Sequence, residues 1–137
     1  MKILKSLPPN FEEIGKYFPL DLPEFLPIFT YGDTIYCPHT SEIPADIEKH
    51  EEIHMIQQGT QPDLWWKKWI ADPDFRLRQE LEAYAVQYLF VRVHLGAKAG
   101  DACLEETARS LSSPVYQLPI DQYHAKKAIR KLAGSMA

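Results

Sequence analysis

The sequence predicts an α+β domain, predominantly helical, with one small antiparallel sheet. Three features point to it. Apolar residues recur at helical spacing through the second half of the chain, from Leu77 and Leu81 through Tyr84, Ala85, Tyr88 and Leu89 to Val93. One stretch, "IFTYGDTIYCP" at 28–38, gathers β-branched and aromatic residues on both sides of Tyr31-Gly32-Asp33, as a hairpin does. With 137 residues and no internal shift of composition, residues 1–137 read as a single domain around one core.

The elements follow in order. Asn10 is the expected N-cap of a first helix, with Glu13 reaching back as in a capping box. Phe11, Ile14, Tyr17 and Phe18 then share a face, and Pro19 ends the helix. "LDLPEFLP", at 20–27, is a proline-punctuated connector. The hairpin comes next, and Pro38 after its second strand suggests an edge position. Pro44 suits the first position of a helix that runs to Gln58, where Gly59 stops it. Residues 63–70 form a short helix carrying Trp65, Trp66 and Trp69. Trp65 and Trp69, four apart, read as core, and Trp66 as the more exposed ring. Asp72-Pro73 opens the long helix, which stops near Gly96. Two last helices, 101–111 and 121–132, flank "SSPVYQLP".

Composition narrows the function classes. The net charge of -4 gives no electrostatic reason to expect nucleic acid or an anionic membrane as partner. Lys126, Lys127, Arg130 and Lys131 make a short basic run, which reads as a solvated helix face. Cys37 and Cys103 form neither a C-x-x-C pair nor a disulfide framework, as expected of small semi-buried residues in a reducing compartment. The apolar stretch in "MKILKSLPPN" is too short for a signal peptide, and no segment has the length of a membrane span. The expected location is the cytoplasm.

Chemistry concentrates in "IEKHEEIHMIQQG", at 47–59. His50 and His54 stand four apart, one turn along the same helix face, so both imidazoles can converge on one ion. Glu51 follows the first histidine, placed to reach a metal-bound water without becoming a ligand. This is the H-E-x-x-H arrangement of zinc metallopeptidases. The alternative is a charged helix that happens to hold two histidines.

A catalytic zinc needs a third protein ligand and one open position. The longer motif with a third histidine is absent, because Gln57 and Thr60 stand where glycine and histidine would be. His94 and His124 lack a supporting motif. "RQELEAYAVQ" offers Glu80 and Glu82. Glu80 shares its face with Leu77, Leu81, Tyr84 and Gln87, the inward side, where a carboxylate needs a partner. Glu82 points roughly 200° away and reads as a solvent-facing charge near Arg78. Ala83 would let this helix pack closely on the histidine helix. Glu80 is thus the leading third ligand and Glu82 the alternative.

HEEIH followed by an E-x-x-A helix resembles the gluzincins, whose third zinc ligand comes from a second helix. More narrowly, "FTYGDTIYCP", "HEEIHMIQQG", the Trp-rich helix and "ELEAYA" resemble minimal zincin-like domains of small phage and bacterial proteins. The similarity spans about residues 29–87 and, more weakly, "LSSPVY". It implies a zincin-like fold, Zn2+ held by His50, His54 and Glu80, Glu51 as general base, and hydrolysis of a peptide or protein substrate. It also implies that strand 34–37 is an active-site edge able to pair with an extended peptide. Many gluzincins place an aspartate four residues after the glutamate ligand, where it holds a ligand histidine. Tyr84 stands there instead, able to accept a histidine N–H or to face a substrate oxyanion. Tyr84, Tyr116, His39 and His124 are the candidate oxyanion donors. Either Gln57 or Gln58 could support the site by a hydrogen bond. The competing expectation is a non-enzymatic phage or bacterial accessory domain that keeps a metal-binding scaffold.

Overall fold

A computed structural model describes residues 2–20, 27–40 and 42–137. The connector expected at 20–27 lies, apart from its two ends, outside the described residues. The elements run β1 (Lys2–Leu4), α1 (Phe11–Gly15), β2 (Phe29–Tyr31), β3 (Thr34–Tyr36), α2 (Ala45–Gln58), α3 (Pro62–Ala71), α4 (Pro73–Leu95), α5 (Ala97–Leu111) and α6 (Gln122–Met136). The chain is α+β and mostly helical, as the periodicity requires.

The sheet differs from expectation. It is mixed, with order β1-β3-β2. β2 and β3 form the anticipated antiparallel hairpin, Thr30 opposite Ile35, closed by Gly32 at φ 64°. β1 adds in parallel on the far side, Ile3 opposite Ile35. Three residues with only the middle one half-buried leave little trace in a sequence. β3 is therefore the central strand rather than an edge, and its Ile35 is fully buried.

Long helices formed where the pattern placed them. α4 starts at an Asp72 N-cap whose carboxylate accepts from the Asp74 and Phe75 N–H groups, and α6 starts at Asp121, which accepts from the His124 N–H. Pro44 stands one position outside α2, with extended ψ of 148°, rather than in its first turn. α5 begins at Ala97, earlier than expected, directly after the sharp turn at Gly96. There Gly100 packs so closely on α4 that a Cβ would lie 3.0 Å from that of Arg92. α1 is only five residues long and lacks the expected capping box. Asn10 makes no side-chain cap, both its side-chain polar atoms are buried without partners among the described residues, and Glu13 pairs with Lys16 instead.

Two apolar clusters hold the molecule together. In one, Tyr84, Tyr88 and Val91 of α4 pack on Leu104, Leu111 and Ile129 of α5 and α6. In the other, Ile14, Phe18 and Phe29 pack on Trp65, Trp66 and Trp69 of α3. Trp66 is buried like its neighbours, contrary to expectation, because its indole N–H reaches inward to the Thr30 carbonyl at 2.9 Å. Tyr116 packs against both clusters. The histidine helix α2 lies against α4 and β2.

Candidate metal centre

α2 and α4 present His50, His54 and Glu80 to one another, all buried. His54 Nε2 lies 3.1 Å from His50 Nε2 and 3.0 Å from Glu80 Oε2. His50 Nε2 lies 3.4 Å from Glu80 Oε1. Ligand atoms on tetrahedral zinc bonds of about 2.0–2.1 Å are separated by about 3.3 Å. The three side chains therefore have the spacing of a ligand set, and they could hold a metal ion. Glu82 is exposed and not part of the group.

The hydrogen bonds behind the histidines test whether a cation fits. His50 Nδ1 faces Gln87 Oε1 at 3.2 Å, and Gln87 Nε2 donates to Asp46 Oδ2 at 2.8 Å. His54 Nδ1 faces Gln57 Oε1 at 2.8 Å, and Gln57 Nε2 donates to Glu82 Oε1 at 3.0 Å and to the Gln79 carbonyl at 3.1 Å. Carboxylate and carbonyl oxygens only accept, so each amide must turn its NH2 towards them and its oxygen towards the histidine. Each Nδ1 then carries a hydrogen, and in the neutral ring each Nε2 carries a lone pair. Two lone pairs and a carboxylate facing one point repel unless something positive lies between them. A metal ion or a proton meets that need.

The ionisation of the cluster agrees. Burial opposes charge on His54, but the Glu80 carboxylate, by its charge and its hydrogen bond, raises the ring to about 9. Burial would likewise push the Glu80 carboxyl up. The His54 charge and hydrogen bonds from both rings more than reverse this and hold it well below the usual carboxylate range. Trp69 Nε1 adds a bond to Glu80 Oε2 at 3.1 Å.

Glu51 stands beside the group without joining it. Its Oε2 is 3.7 Å from His50 Nε2. Its Oε1 accepts from the Thr30 hydroxyl at 3.3 Å, and the same hydroxyl contacts the Glu51 carbonyl oxygen at 3.2 Å. Burial pushes the Glu51 carboxyl up, partly offset by the two histidines. All four groups line a cavity whose other walls include Ile14, Phe18, Phe29, Trp66, Trp69 and Tyr116.

Other expectations divide. Tyr84 is buried with its ring centre 4.4 Å from that of His50, but its hydroxyl bonds to Tyr116 at 2.7 Å. It does not hold a histidine, because Gln87 and Gln57 already occupy both Nδ1 positions. Burial pushes both tyrosine hydroxyls up, so each keeps its proton near neutrality. His39, His94 and His124 are exposed, none lines the cavity, and His124 bonds to Asp121. Gln57 supports the site, whereas Gln58 closes the sheet. Gln58 Nε2 donates to the Thr30 carbonyl at 2.7 Å and its Oε1 accepts from the Gly32 N–H at 2.7 Å. That amide imitates a neighbouring strand, and with Trp66 it occupies the β2 edge beside the site. The expected pairing edge at 34–37 is thus internal, and the strand in its place is capped.

Sequence reasoning missed four contributors: Asp46, Thr30, Trp69 as a donor to Glu80, and Gln87 as a histidine partner. Asp46 is one turn before His50 on the same face, and Gln87 had been placed on the inward face of α4. Those two positions were the available signal. Thr30 and Trp69 depend on how β2 and α3 fold onto α2 and α4, which no local pattern encodes. Comparison with known protein families, with curated proteins and with solved structures gave no match. No helix among the described residues is long and apolar enough to cross a membrane.

Proposed function

We propose that the chain is a zinc-dependent peptidase of gluzincin type, a minimal zincin-like domain in which His50, His54 and Glu80 hold the ion and Glu51 is the general base. The observation that supports it most is the spare carboxylate. A metal site serving structure alone closes with a fourth ligand and has no use for a buried acid held just outside the ligand set. When bound, zinc would act as a Lewis acid on the scissile carbonyl. Glu51 takes the proton of the attacking water and returns it to the leaving amine. The Thr30 hydroxyl holds one oxygen of Glu51 and leaves the other facing the cluster. Tyr116 lines the cavity with a hydroxyl that stays protonated, so it is the better placed donor to a developing oxyanion.

A second reading has one observation in its favour. The four polar groups are only 2–6% exposed, which suits a non-enzymatic accessory domain holding its metal in a closed core. Hydrolysis of an unfolded protein substrate by the zinc-loaded chain separates the two. The wild type is expected to cleave, and Glu51→Gln to lose at least about 10²-fold in rate with its zinc content unchanged. A zinc-loaded wild type that cleaves nothing would favour the accessory domain.

A further inference from the structure

We propose that Asp46 and Glu82 are positioning residues of the metal centre, each acting on a ligand histidine through an intervening glutamine. The inference rests on the metal-site reading above. It adds that the ligand geometry is set by two carboxylates that touch neither the ion nor a ligand.

The two arms are alike in chemistry and separate in space. On one, Asp46 in the first turn of α2 accepts from Gln87 of α4, which in turn accepts from His50. On the other, Glu82 on the exposed face of α4 accepts from Gln57 of α2, which in turn accepts from His54. Each arm crosses the α2–α4 interface, so it ties the two ligand-bearing helices together at the same point where it orients a ring.

A glutamine amide can turn either end towards a neighbour. Turned the wrong way, its NH2 would face histidine Nδ1, favour a lone pair there, and put the hydrogen on Nε2, where it blocks metal binding. The carboxylate removes that freedom, because it can only accept. Direct contact between carboxylate and imidazole would fix the tautomer and also raise ring basicity. With a neutral amide between them, the tautomer is fixed while the negative charge stays one group away. The Gln57 amide has a second acceptor in the Gln79 carbonyl. Among the described residues the Gln87 NH2 has Asp46 as its one acceptor, so the Asp46 arm carries the larger effect.

Zinc affinity of the full chain, measured by competition with a chromophoric chelator, tests this without reference to activity. Asp46→Ala is expected to weaken zinc binding by about tenfold or more. Asp46→Asn keeps an acceptor oxygen for the Gln87 amide but can also turn its own NH2 towards it, so it should restore only part of that loss. Glu82→Ala should weaken binding less than Asp46→Ala, and Gln57→Met more than Glu82→Ala. Nitrogen NMR of the metal-free imidazoles gives a readout that a merely structural role would not move. His50 should shift from the Nδ1–H tautomer towards Nε2–H in Asp46→Ala. Wild-type affinity and an unchanged His50 tautomer in that variant would overturn the proposal. If Asp46→Ala does not fold, Glu82→Ala and Gln57→Met decide, and wild-type affinity in both overturns it. A wild type that binds no zinc removes the metal centre and this proposal together. A wild type that binds zinc while every variant binds equally removes the proposal alone.

Discussion

Burial and charge pull His54 in opposite directions, and the balance gives the metal-free protein a pH dependence. An unfolded histidine titrates near pH 6.5. In the fold, Glu80 raises His54 to about 9 against the cost of burial. The folded value is the higher one, so this stabilisation is complete below pH 6.5 and is lost as pH rises through about 9. Glu51, whose carboxyl is raised mainly by burial, also favours the fold at lower pH. Glu80 is depressed below its ordinary 4.5, so its stabilisation is present above that value and is lost on acidification. The chelator-treated protein should therefore melt at the highest temperature between roughly pH 4.5 and 6.5 and progressively lower towards pH 9. Zinc bound at the proposed centre would displace the His54 proton, so the alkaline decline should shrink or vanish in the zinc-loaded protein. Thermal melts from pH 4 to 9.5, with and without zinc, check this. A metal-free melting temperature that is flat across the alkaline half would contradict the His54–Glu80 pairing.

Among the elements, the junction of α3, α4 and the segment after α5 shows how one side chain can organise three pieces of chain. Arg76, in the first turns of α4, is only 3% exposed. Its guanidinium donates to the Trp69 carbonyl at 2.7 Å and the Tyr116 carbonyl at 2.9 Å, and also reaches the carbonyls of Ile70 and Gln117. It also lies over the rings of Phe18 and Trp69. Arg76→Met keeps the stem but leaves buried carbonyls without a donor. It should destabilise the fold by ~2–4 kcal/mol, since each unsatisfied buried group costs roughly 1–3 kcal/mol. Urea denaturation measures this, and a loss below about 0.5 kcal/mol would show that the carbonyls find other partners. Because Tyr116 rides on the same contact, the variant should lose the proposed hydrolysis more steeply than the proposed zinc. At this scale the sequence was readable where periodicity is strong. α4 could be placed from its apolar repeat and its Asp72-Pro73 start, and α2 from its histidine face and Gly59. β1 could not, because its strand character comes from its partner β3 and not from its own three residues. The central place of β3 was hidden for the same reason, and the buried Arg76 was hidden because its acceptors come from two other segments, the end of α3 and the stretch after α5.

For the molecule as a whole, the site on α2 and α4 is flanked by both apolar clusters, with Tyr84 of one beside His50 and Trp65 and Trp69 of the other beside His54 and Glu80. The convergence of His50, His54 and Glu80 was legible, since a one-turn histidine pair and an inward carboxylate on a second helix have few other reasons to exist. The preference for Glu80 over Glu82 followed from helix geometry alone, and the structure places Glu80 in the cluster and Glu82 at the surface. Glu82 nonetheless reaches the centre indirectly through Gln57, a role that its outward direction concealed. Expectations drawn from resemblance fared less evenly. Tyr84, expected to accept a histidine N–H or to face an oxyanion, bonds to Tyr116 instead, and Gln87 of the same helix holds His50 about one turn further on. The anticipated substrate-pairing strand turned out to be the middle of the sheet.

The most direct test is the metal itself. The chain, purified without chelator, should retain one zinc ion. X-ray absorption together with a crystal structure phased on the zinc edge should show that ion bound by two imidazole Nε2 atoms and one carboxylate, from His50, His54 and Glu80. A chain that retains no divalent ion after dialysis against zinc, or one whose ion sits away from the Glu80 carboxylate, would contradict the account.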